Sequence, residues 1–474
     1  MYTRCSYVVL VCLLVSLTGT AAAQPDGADI QIRDGTIVAT AADYEMDGTM
    51  WAAFTLLEDT SLRVHRTTDH GLNWGFFLSL RTAGIADRLG LVVGEGESAF
   101  VYLFYLSPAQ NGDLQCLRFD RETGAGNIFD VAVGPDTIRD FAVCRDYTGD
   151  NYWLYAVVTN PDPPGSGHAV RFLRSSTYGR QWYITDSASH RALDPHISAG
   201  PGSYIFCTFT HGDSLTLLRN RLYLGSGYWK SAFYYSGYEV GDPVIATAFT
   251  LPESTATVWA LWSENYHNSG DWDIVSSYAD GGWNWYGPDY LAGSRATNER
   301  FPDLRNYTSL GNQYINASYI SDNDVFRTVY RRYANAASPT QWSDTLRINE
   351  GSAGTGSEIK PKLCYTPGGP FPGAGCVFVG AGLNGCWWNA PYPTAVAEAP
   401  SDGVRTPNRG ATIVRGVLRL APSASPSSST NHLLDISGRK VMGLVPGAND
   451  VSRLAPGVYF VRGAAEVRTV VVPR

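Results

Sequence analysis

Helical signals are scarce in this 474-residue chain. No long stretch repeats apolar residues at the spacing of three and four that an amphipathic helix requires, and only 4 residues are methionine. Gly (49), Tyr (28) and Trp (13) are plentiful, a balance typical of strands joined by tight turns. The sequence therefore predicts an all-β fold, and its length favours a repeated structure over one ordinary domain.

Apolar runs long enough to cross a membrane are also lacking. The start, MYTRCSYVVLVCLLVSLTGTAAAQ, combines one basic side chain, a short apolar run and three alanines, which is typical of a secretory signal peptide. We expect residues 1–23 to be this signal and the remaining chain to be secreted or held at the outer cell surface. No transmembrane segment is expected after cleavage.

Motifs for metal binding and for nucleophilic catalysis are missing as well. The sequence has no CxxC, no HExxH and no GxSxG, so we expect neither a metal nor a cofactor. Two of the 8 cysteines fall within the signal, and three of the others, Cys364, Cys376 and Cys386, lie close together in sequence. Export permits a disulfide between two of these three, while burial as small apolar side chains is an equally good interpretation.

Positive charge is sparse outside the C-terminal region. From residue 396 onward ten Lys and Arg oppose five Asp and Glu, so this region carries +5 and the rest of the chain −13. An acidic main region argues against nucleic acid as a partner.

A unit of four short strands repeats along the chain. Each begins with a short apolar strand, a polar or Gly-rich turn and an aromatic strand, and equivalent points are separated by 53, 52, 54, 48, 59 and 59 residues. These points are Val38, Leu91, Val143, Ile197, Ile245, Leu304 and Leu363. Repeated antiparallel units of this length predict the blades of a β-propeller over residues 24–393.

The last unit has only three strands, ending with GCWWNAP at 385–391. We expect residues 28–34, ADIQIRD, to supply the missing strand and close the ring, which would remove the exposed sheet edges. The prediction is a seven-bladed propeller. A six-bladed ring is the alternative if the first or last unit is not a blade.

A turn motif recurs after third strands. Residues 67–74 read TTDHGLNW, 278–285 read YADGGWNW, and 175–182 read SSTYGRQW with Thr in the Asp position. Asp and hydroxyl side chains can accept backbone N–H groups inside a turn, Gly can adopt positive φ, and Trp can fill the space between sheets. We interpret the motif as structural. Its residues are Thr67, Asp69, Gly71, Trp74, Gly179, Trp182, Asp280, Gly282 and Trp285.

These turns resemble the Asp box, or bacterial neuraminidase repeat, of the sialidase-like propellers, and the strand openings DPHI and DPVI resemble the first strands of those blades. The resemblance covers roughly residues 28–391. It implies that the Asp box is a structural turn on the face opposite the active site.

Composition changes after Pro393. Residues 394–411 are predicted to be a linker, and 412–474 a small β-sandwich with turns at Ser-Gly and Pro-Gly pairs. LLDISGRKV and LAPGVYFVR resemble the C-terminal sorting domain of bacterial type IX secretion cargo, although PSASPSS replaces the family's Asn-Pro-Phe type motif. The resemblance implies that the secretion machinery is a partner. An ordinary accessory sandwich is the alternative.

Candidate functional residues lie where the innermost strands begin, because those starts surround one channel mouth in a propeller. The loops between second and third strands open on the same face. An Asp before Pro can instead simply cap a strand, and a loop His can be merely solvated. The candidates are Asp87, Arg88, Arg139, Asp140, Asp194, Asp242, Arg300 and Lys360 from the strand starts and His211, His267 and Trp272 from the loops.

Three functions are compatible with these residues. The first is non-catalytic binding of a glycan or another extracellular polymer. The second is a sialidase, for which the resemblance implies three arginines, a Tyr nucleophile activated by Glu, and an Asp; Arg88, Arg139 and Arg300 are the available arginines. However, QIRDGTIV stands where that family has Arg-Ile-Pro, and the sequence assigns no Tyr/Glu pair. The third is a structural surface spacer.

Overall fold

A computed structural model describes the chain in segments and divides it into two compact units, residues 1–395 and 396–474. The described segments are 29–45, 47–94, 100–107, 112–133, 138–146, 153–160, 170–188, 192–200, 204–211, 214–221, 230–235, 237–250, 255–280, 284–293, 297–309, 312–322, 327–335, 338–343, 345–349, 359–366, 373–380, 383–389, 412–413, 417–420, 431–435, 439–445, 447–451, 454–455, 457–462 and 467–472. The predicted signal peptide, residues 1–23, and the predicted linker, 394–411, lie outside them.

Strands and turns make up the described segments, with no α-helix among them, and this confirms the all-β prediction. Within the same ranges no helix has the length and apolarity needed to cross a membrane.

The first unit consists of antiparallel sheets of four strands, numbered here in chain order. Sheet 1 contains β1 (Ile30–Tyr44), β2 (Met50–Leu56), β3 (Ser61–Thr67) and β4 (Gly75–Arg81). Sheet 2 contains β5 (Leu89–Val93), β6 (Phe100–Ser107), β7 (Asp113–Asp120) and β8 (Gly126–Ala132). Sheet 3 contains β9 (Asp140–Arg145), β10 (Leu154–Thr159), β11 (Val170–Ser175) and β12 (Tyr183–Ala188). Sheet 4 contains β13 (Leu193–Gly200), β14 (Tyr204–His211), β15 (Ser214–Arg221) and β16 (Lys230–Tyr235).

The remaining sheets of this unit follow the same order. Sheet 5 contains β17 (Val240–Thr250), β18 (Thr255–Tyr266), β19 (Asp271–Asp280) and β20 (Asn284–Ala292). Sheet 6 contains β21 (Asn298–Ser309), β22 (Asn312–Asp322), β23 (Arg327–Asn335) and β24 (Leu346–Arg347). Sheet 7 contains β25 (Lys362–Thr366), β26 (Gly373–Val379) and β27 (Asn384–Asn389), with its fourth strand supplied by β1.

Strand β1 joins sheets 1 and 7. Its first part pairs with β27, with Ile30 opposite Trp388, and its second part pairs with β2, with Ala41 opposite Ala53. The predicted pairing of residues 28–34 with the strand of 385–391 is therefore confirmed. The first strands also contact one another in chain order, from β1 through β5, β9, β13, β17 and β21 to β25, which contacts β1 again. This arrangement is a β-propeller.

The hydrophobic core lies between neighbouring sheets. One cluster joins Trp51 and Val64 of sheet 1 to Leu103 and Phe119 of sheet 2. Complete burial of such side chains contributes about 1.5–3 kcal/mol each. Because the same arrangement recurs in successive pairs of sheets, each sheet is stabilised mainly by its two neighbours.

Side-chain hydrogen bonds hold the TTDHGLNW turn together. Asp69 Oδ1 accepts hydrogen bonds from the Asn73 amide at 2.9 Å and from the Thr67 hydroxyl at 2.7 Å, and the Gly71 amide donates to Thr67 Oγ1 at 3.1 Å. Gly71 has φ +90°, and the Trp74 ring lies 5.9 Å from that of Trp388 in sheet 7. The turn therefore connects sheet 1 to its neighbour.

The second copy keeps this geometry without Asp. Thr177 Oγ1 accepts the Gln181 amide at 2.9 Å, as Asp69 does for Asn73, and the Trp182 ring contacts Phe104 of sheet 2 at 5.8 Å. In the third copy, Asp280 is exposed and Trp285 packs against a cluster that includes Phe206 of sheet 4. Gly282 lies outside the described residues.

The six cysteines of the described segments are free thiols, so the prediction of a disulfide among Cys364, Cys376 and Cys386 is wrong. Cys364 and Cys386 belong to one core cluster, but β26 separates their strands. Cys376 packs in a different cluster, and pairs across the sheet with Leu363 and Asn389. The three cysteines are close in sequence and lie in one sheet, but their sulfur atoms are not bonded to one another.

The second unit has two sheets. The larger is formed by β28 (Thr412–Ile413), β34 (Val467–Val472), β33 (Gly457–Arg462), β30 (Asn431–Leu434) and β31 (Lys440–Leu444), and the smaller by β29 (Val417–Leu420) and β32 (Gly447–Asp450). Leu433, Leu444, Val451 and Tyr459 form its core. The Tyr459 hydroxyl donates to the Ala455 carbonyl at 2.7 Å, which fixes the turn before β33.

Candidate functional site

The starts of the first strands surround one cavity of about 880 Å³. Such a volume is within the range of about 300–1,000 Å³ that is usual for ligand sites. Eight of the predicted residues line the cavity: Asp87, Arg88, Asp140, Asp194, Asp242, Trp272, Arg300 and Lys360. Asp87 and Arg88 directly precede sheet 2, Lys360 precedes β25, and the other five residues belong to sheets 3 to 6.

Three predicted residues lie outside this lining. Arg139 directly precedes β9 and is exposed, and His211 is exposed at the end of β14. His267 is also exposed, and its Nδ1 lies 3.0 Å from the Tyr238 hydroxyl. Its ring contacts Tyr266 at 4.0 Å.

A repeated backbone feature directs side chains into the cavity. The register of sheets 4, 5 and 6 shifts at the start of the first strand, where the sequences are LDPHI, GDPVI and RFPDL. Asp194, Asp242 and Phe301, each followed by proline, have φ values of +48°, +54° and +59°. Positive φ is uncommon for residues other than glycine, and a bulge of this kind re-aims side chains at a sheet edge. The Asp-Pro and Phe-Pro pairs therefore do more than begin a strand.

Asp242 is the centre of an ion-pair network. Its Oδ1 lies 3.1 Å from Lys360 Nζ, and its Oδ2 lies 3.7 Å from Arg300 Nη2. Burial alone would lower the pKa of Lys360, but the carboxylates of Asp242, Asp194 and Asp140 raise it, and the net direction is upward. Lys360 is therefore a fixed cation of the cavity at neutral pH.

Arg300 and Trp272 form a second fixed pair. The Arg300 guanidinium carbon lies 4.2 Å from the Trp272 ring centroid and 4.7 Å from that of Phe301. These are cation–π distances. The arginine is held by two rings and a carboxylate, so its position is set before any ligand binds.

Sheets 2 and 3 contribute the opposite wall. Arg88 Nε lies 3.7 Å from Asp140 Oδ1. The same carboxylate accepts a hydrogen bond from the backbone amide of the next residue, Phe141, at 2.7 Å. Burial raises the pKa of Asp140 to about 6, against the opposing effect of Arg88.

Sequence reasoning missed a deeper set of charged groups. Asp303, Arg305 and Lys362 lie within the first strands of sheets 6 and 7, and Glu239 immediately before that of sheet 5. Lys362 and Arg305 hold the pKa of Asp303 below its usual value although burial acts in the opposite direction. The sequence did contain a signal for these strand residues. In PDLRN and KPKLC charged residues stand two positions apart, and residues with that spacing in a strand point to the same face of the sheet.

The lining is polar but nearly balanced in charge. Six carboxylates and five Lys or Arg side chains line the cavity. Three of the cations, Arg88, Arg300 and Lys360, are paired with carboxylates of the protein itself. No tyrosine occurs among the lining residues that the structure describes. Those described ranges also contain no group of three or more His, Cys, Asp or Glu arranged to hold a metal ion.

No protein-family model and no curated protein matches this chain. Among solved structures, AofleA from Arthrobotrys oligospora is similar at 14% identity, over 69% of this chain and 89% of its own, with a TM-score of 0.44. The Aleuria aurantia lectin, a six-bladed β-propeller with a fucose recognition mode, has 12% identity over 69% and 99%, with a TM-score of 0.41. The Hadza microbial sialidase Hz136 has 12% identity over 77% and 68%, with a TM-score of 0.45. Since these scores are below 0.5, the similarities do not assign a function to this chain.

Proposed function

We propose that this chain is a secreted or surface-attached seven-bladed propeller that binds a neutral glycan in its central cavity without cleaving it. The observation that carries the proposal is the cavity wall formed by Trp272, immobilised by Arg300, among charges that balance one another. Aromatic rings stack on the C–H faces of sugars, and paired carboxylates and amines offer acceptors and donors to hydroxyl groups.

The geometry favours this proposal over a sialidase. A sialidase-type site uses a group of arginines to hold the carboxylate of its substrate. Here Arg88 is paired with Asp140, Arg300 is paired with Asp242, and Arg139 lies outside the cavity lining. An anionic sugar in the cavity would have to compete with Asp140 for Arg88 and with Asp242 for Arg300. The sialidase and the structural spacer remain the outcomes against which binding is tested.

Binding is tested with an array of neutral and acidic glycans, followed by calorimetry on those that bind. We expect neutral glycans to bind. Trp272→Ala should lower their affinity by about tenfold or more, because loss of a stacking ring costs about 1–3 kcal/mol of binding free energy. Trp153→Ala is the matched control. Trp153 also stacks on an arginine, Arg174 at 4.9 Å, but lies outside the cavity lining.

The other functions give different results. Turnover of a fluorogenic sialoside that is lost in Arg300→Lys would replace the binding proposal with the sialidase. Absence of binding to every glycan would favour the spacer.

The second unit is proposed to be the sorting domain that directs export. Its support is the resemblance of LLDISGRKV and LAPGVYFVR, together with the separation of residues 396–474 as a compact unit. Deletion of residues 396–474 should retain the propeller inside the cell envelope of a host with type IX secretion, while the full chain is released. Equal release of both chains would refute the sorting role.

A further inference from the structure

A second, smaller pocket lies between sheets 5 and 6 and shares a wall with the central cavity. It has a volume of about 170 Å³ and is lined by Gly270, Trp272, Asn298, Arg300, Phe301, Ile320 and Asp322. Trp272, Arg300 and Phe301 also line the central cavity. We propose that this pocket is a separate subsite for a single neutral monosaccharide, the terminal residue of the bound glycan. The inference rests on the proposed function and deepens it.

The shared wall is preorganised. The Trp272 amide donates a hydrogen bond to Asn298 Oδ1 at 3.1 Å, which ties the start of β19 to the start of β21. The Arg300 guanidinium is held at 4.2 Å from the Trp272 ring and at 4.7 Å from Phe301. A wall fixed before binding reduces the entropy that a small ligand must overcome.

Gly270 lines the pocket from the turn between β18 and β19. This residue has φ +86°, and its amide donates to Asn265 Oδ1 at 2.8 Å, which closes the turn between β18 and β19. A Cβ placed on Gly270 would meet no atom within 4 Å. Glycine therefore suits the positive φ of this turn, and the space beside it is open.

Size and chemistry point to one sugar ring. A volume of 170 Å³ equals that of about six liquid water molecules, which is too small for a disaccharide and below the usual range for larger ligands. Trp272 and Ile320 offer apolar surface, whereas Asp322 and Asn298 offer hydrogen-bonding groups. A pyranose has the same division between a C–H face and a hydroxyl edge.

The test uses methyl glycosides of neutral hexoses and of deoxyhexoses as single-ring probes, and neutral oligosaccharides as longer probes. Binding is measured by saturation-transfer NMR and calorimetry on the full secreted chain. Asp322→Ala and Asp322→Asn change only the small pocket, and Trp272→Ala changes both sites. Asp289→Ala is the control, because Asp289 is an exposed carboxylate on β20 of the neighbouring sheet 5 and lines neither the small pocket nor the central cavity.

We expect both Asp322 variants to weaken single-ring probes by about tenfold, the effect of losing a hydrogen bond to a charged group, while Asp289→Ala has no effect. Circular dichroism must show that the variants are folded, and Asp322→Asn provides a shape-conserving second test. Single-ring probes could lose binding in Trp272→Ala and keep it in both Asp322 variants. That result would place the probes in the central cavity and overturn the subsite proposal. Binding of oligosaccharides without any single-ring probe would overturn it too, and would leave the proposed function standing. Absence of all glycan binding would overturn both.

Discussion

Asp242 Oδ1 and Lys360 Nζ lie 3.1 Å apart, although one residue begins sheet 5 and the other precedes sheet 7. The contact spans sheet 6 across the mouth of the cavity, and Arg300 of sheet 6 completes it from between the two. Three successive sheets are therefore connected by charge at the site where we propose that the ligand binds.

Replacing Asp242 with Asn should lower the free energy of unfolding by about 2 kcal/mol. Loss of one partner of a buried pair costs about 3–5 kcal/mol, and the value here is reduced because Arg300 and Lys360 each keep about a third of their side-chain surface exposed. Urea unfolding followed by Trp fluorescence reports the propeller alone, since no Trp follows Trp388. Glu122→Gln, which removes an exposed surface pair with Arg66, should cost less than about 0.5 kcal/mol.

Asp140 should make the protein less stable as the pH rises from about 4 to about 6. Its pKa is raised from 3.8 to about 6 by burial, so in this window the unfolded chain loses the proton while the folded chain keeps it. His196 acts with the opposite sign, because burial lowers its pKa to about 3. The prediction is therefore made for the difference between wild type and Asp140→Asn in urea unfolding at a series of pH values. The difference should change between pH 4 and 6 and be constant above; a constant difference throughout would contradict it.

The turn at 67–74 should contribute to stability but not to binding. Asp69→Ala removes acceptors for the Asn73 amide, the Asn73 side chain and the Thr67 hydroxyl, and should cost about 1–2 kcal/mol. Thr177→Asp in the second copy restores the Asp of the motif and should be neutral or stabilising. Calorimetry on the folded Asp69→Ala protein should give wild-type glycan affinity, and a loss of affinity there would give the turn a role at the site.

Gly71 and Gly270 form a matched pair for substitution by alanine. Both have left-handed φ, +90° and +86°, so alanine is strained by about 1–2 kcal/mol at either site. Only at Gly71 would the new Cβ also lie 2.1 Å from an atom of Trp388, whose ring is fully buried. We expect Gly71→Ala to be at least about 2 kcal/mol more destabilising than Gly270→Ala in the same unfolding assay. Equal effects would mean that the Trp388 ring moves aside.

The buried thiols should be inert in the folded protein. Cys116, Cys207, Cys364, Cys376 and Cys386 are buried, and burial raises the pKa of the Cys116 and Cys207 thiols well above the usual value. Iodoacetamide should label these five only after unfolding, as measured by mass spectrometry of the chain lacking residues 1–23. Without reductant, six labels are expected in denaturant. Four labels would indicate a disulfide.

Much of the fold could be predicted because each repeat unit has recognisable strand and turn patterns over a few neighbouring residues. The strand pairs, the turn motif and the use of residues 28–34 to complete the last sheet all follow from local sequence and from the need to cover sheet edges. The cysteine pairing failed because β26 lies between the strands of Cys364 and Cys386, and because Cys376 packs in a different cluster.

The site was predicted less completely for a related reason. Aligning strand starts located Asp242, Arg300 and Lys360, since their positions follow from the repeat. It did not show that Arg300 would stack on Trp272 or be paired with Asp242, because those contacts depend on the bulges before Pro243 and Pro302. Loop residues such as His211 and His267 follow no repeat, and the sequence does not fix where they point.

The division of β1 between sheets 1 and 7 also sets the order in which the chain can finish folding. During synthesis from the N-terminus, residues 30–36 are the first part of the propeller to be made. Their pairing partner, β27, is made only after every other strand of the propeller. The earliest segment therefore waits longest for its hydrogen bonds. Ring completion is consequently a late event in biosynthesis, and a nascent chain interrupted before residue 384 would expose an unpaired edge to other chains.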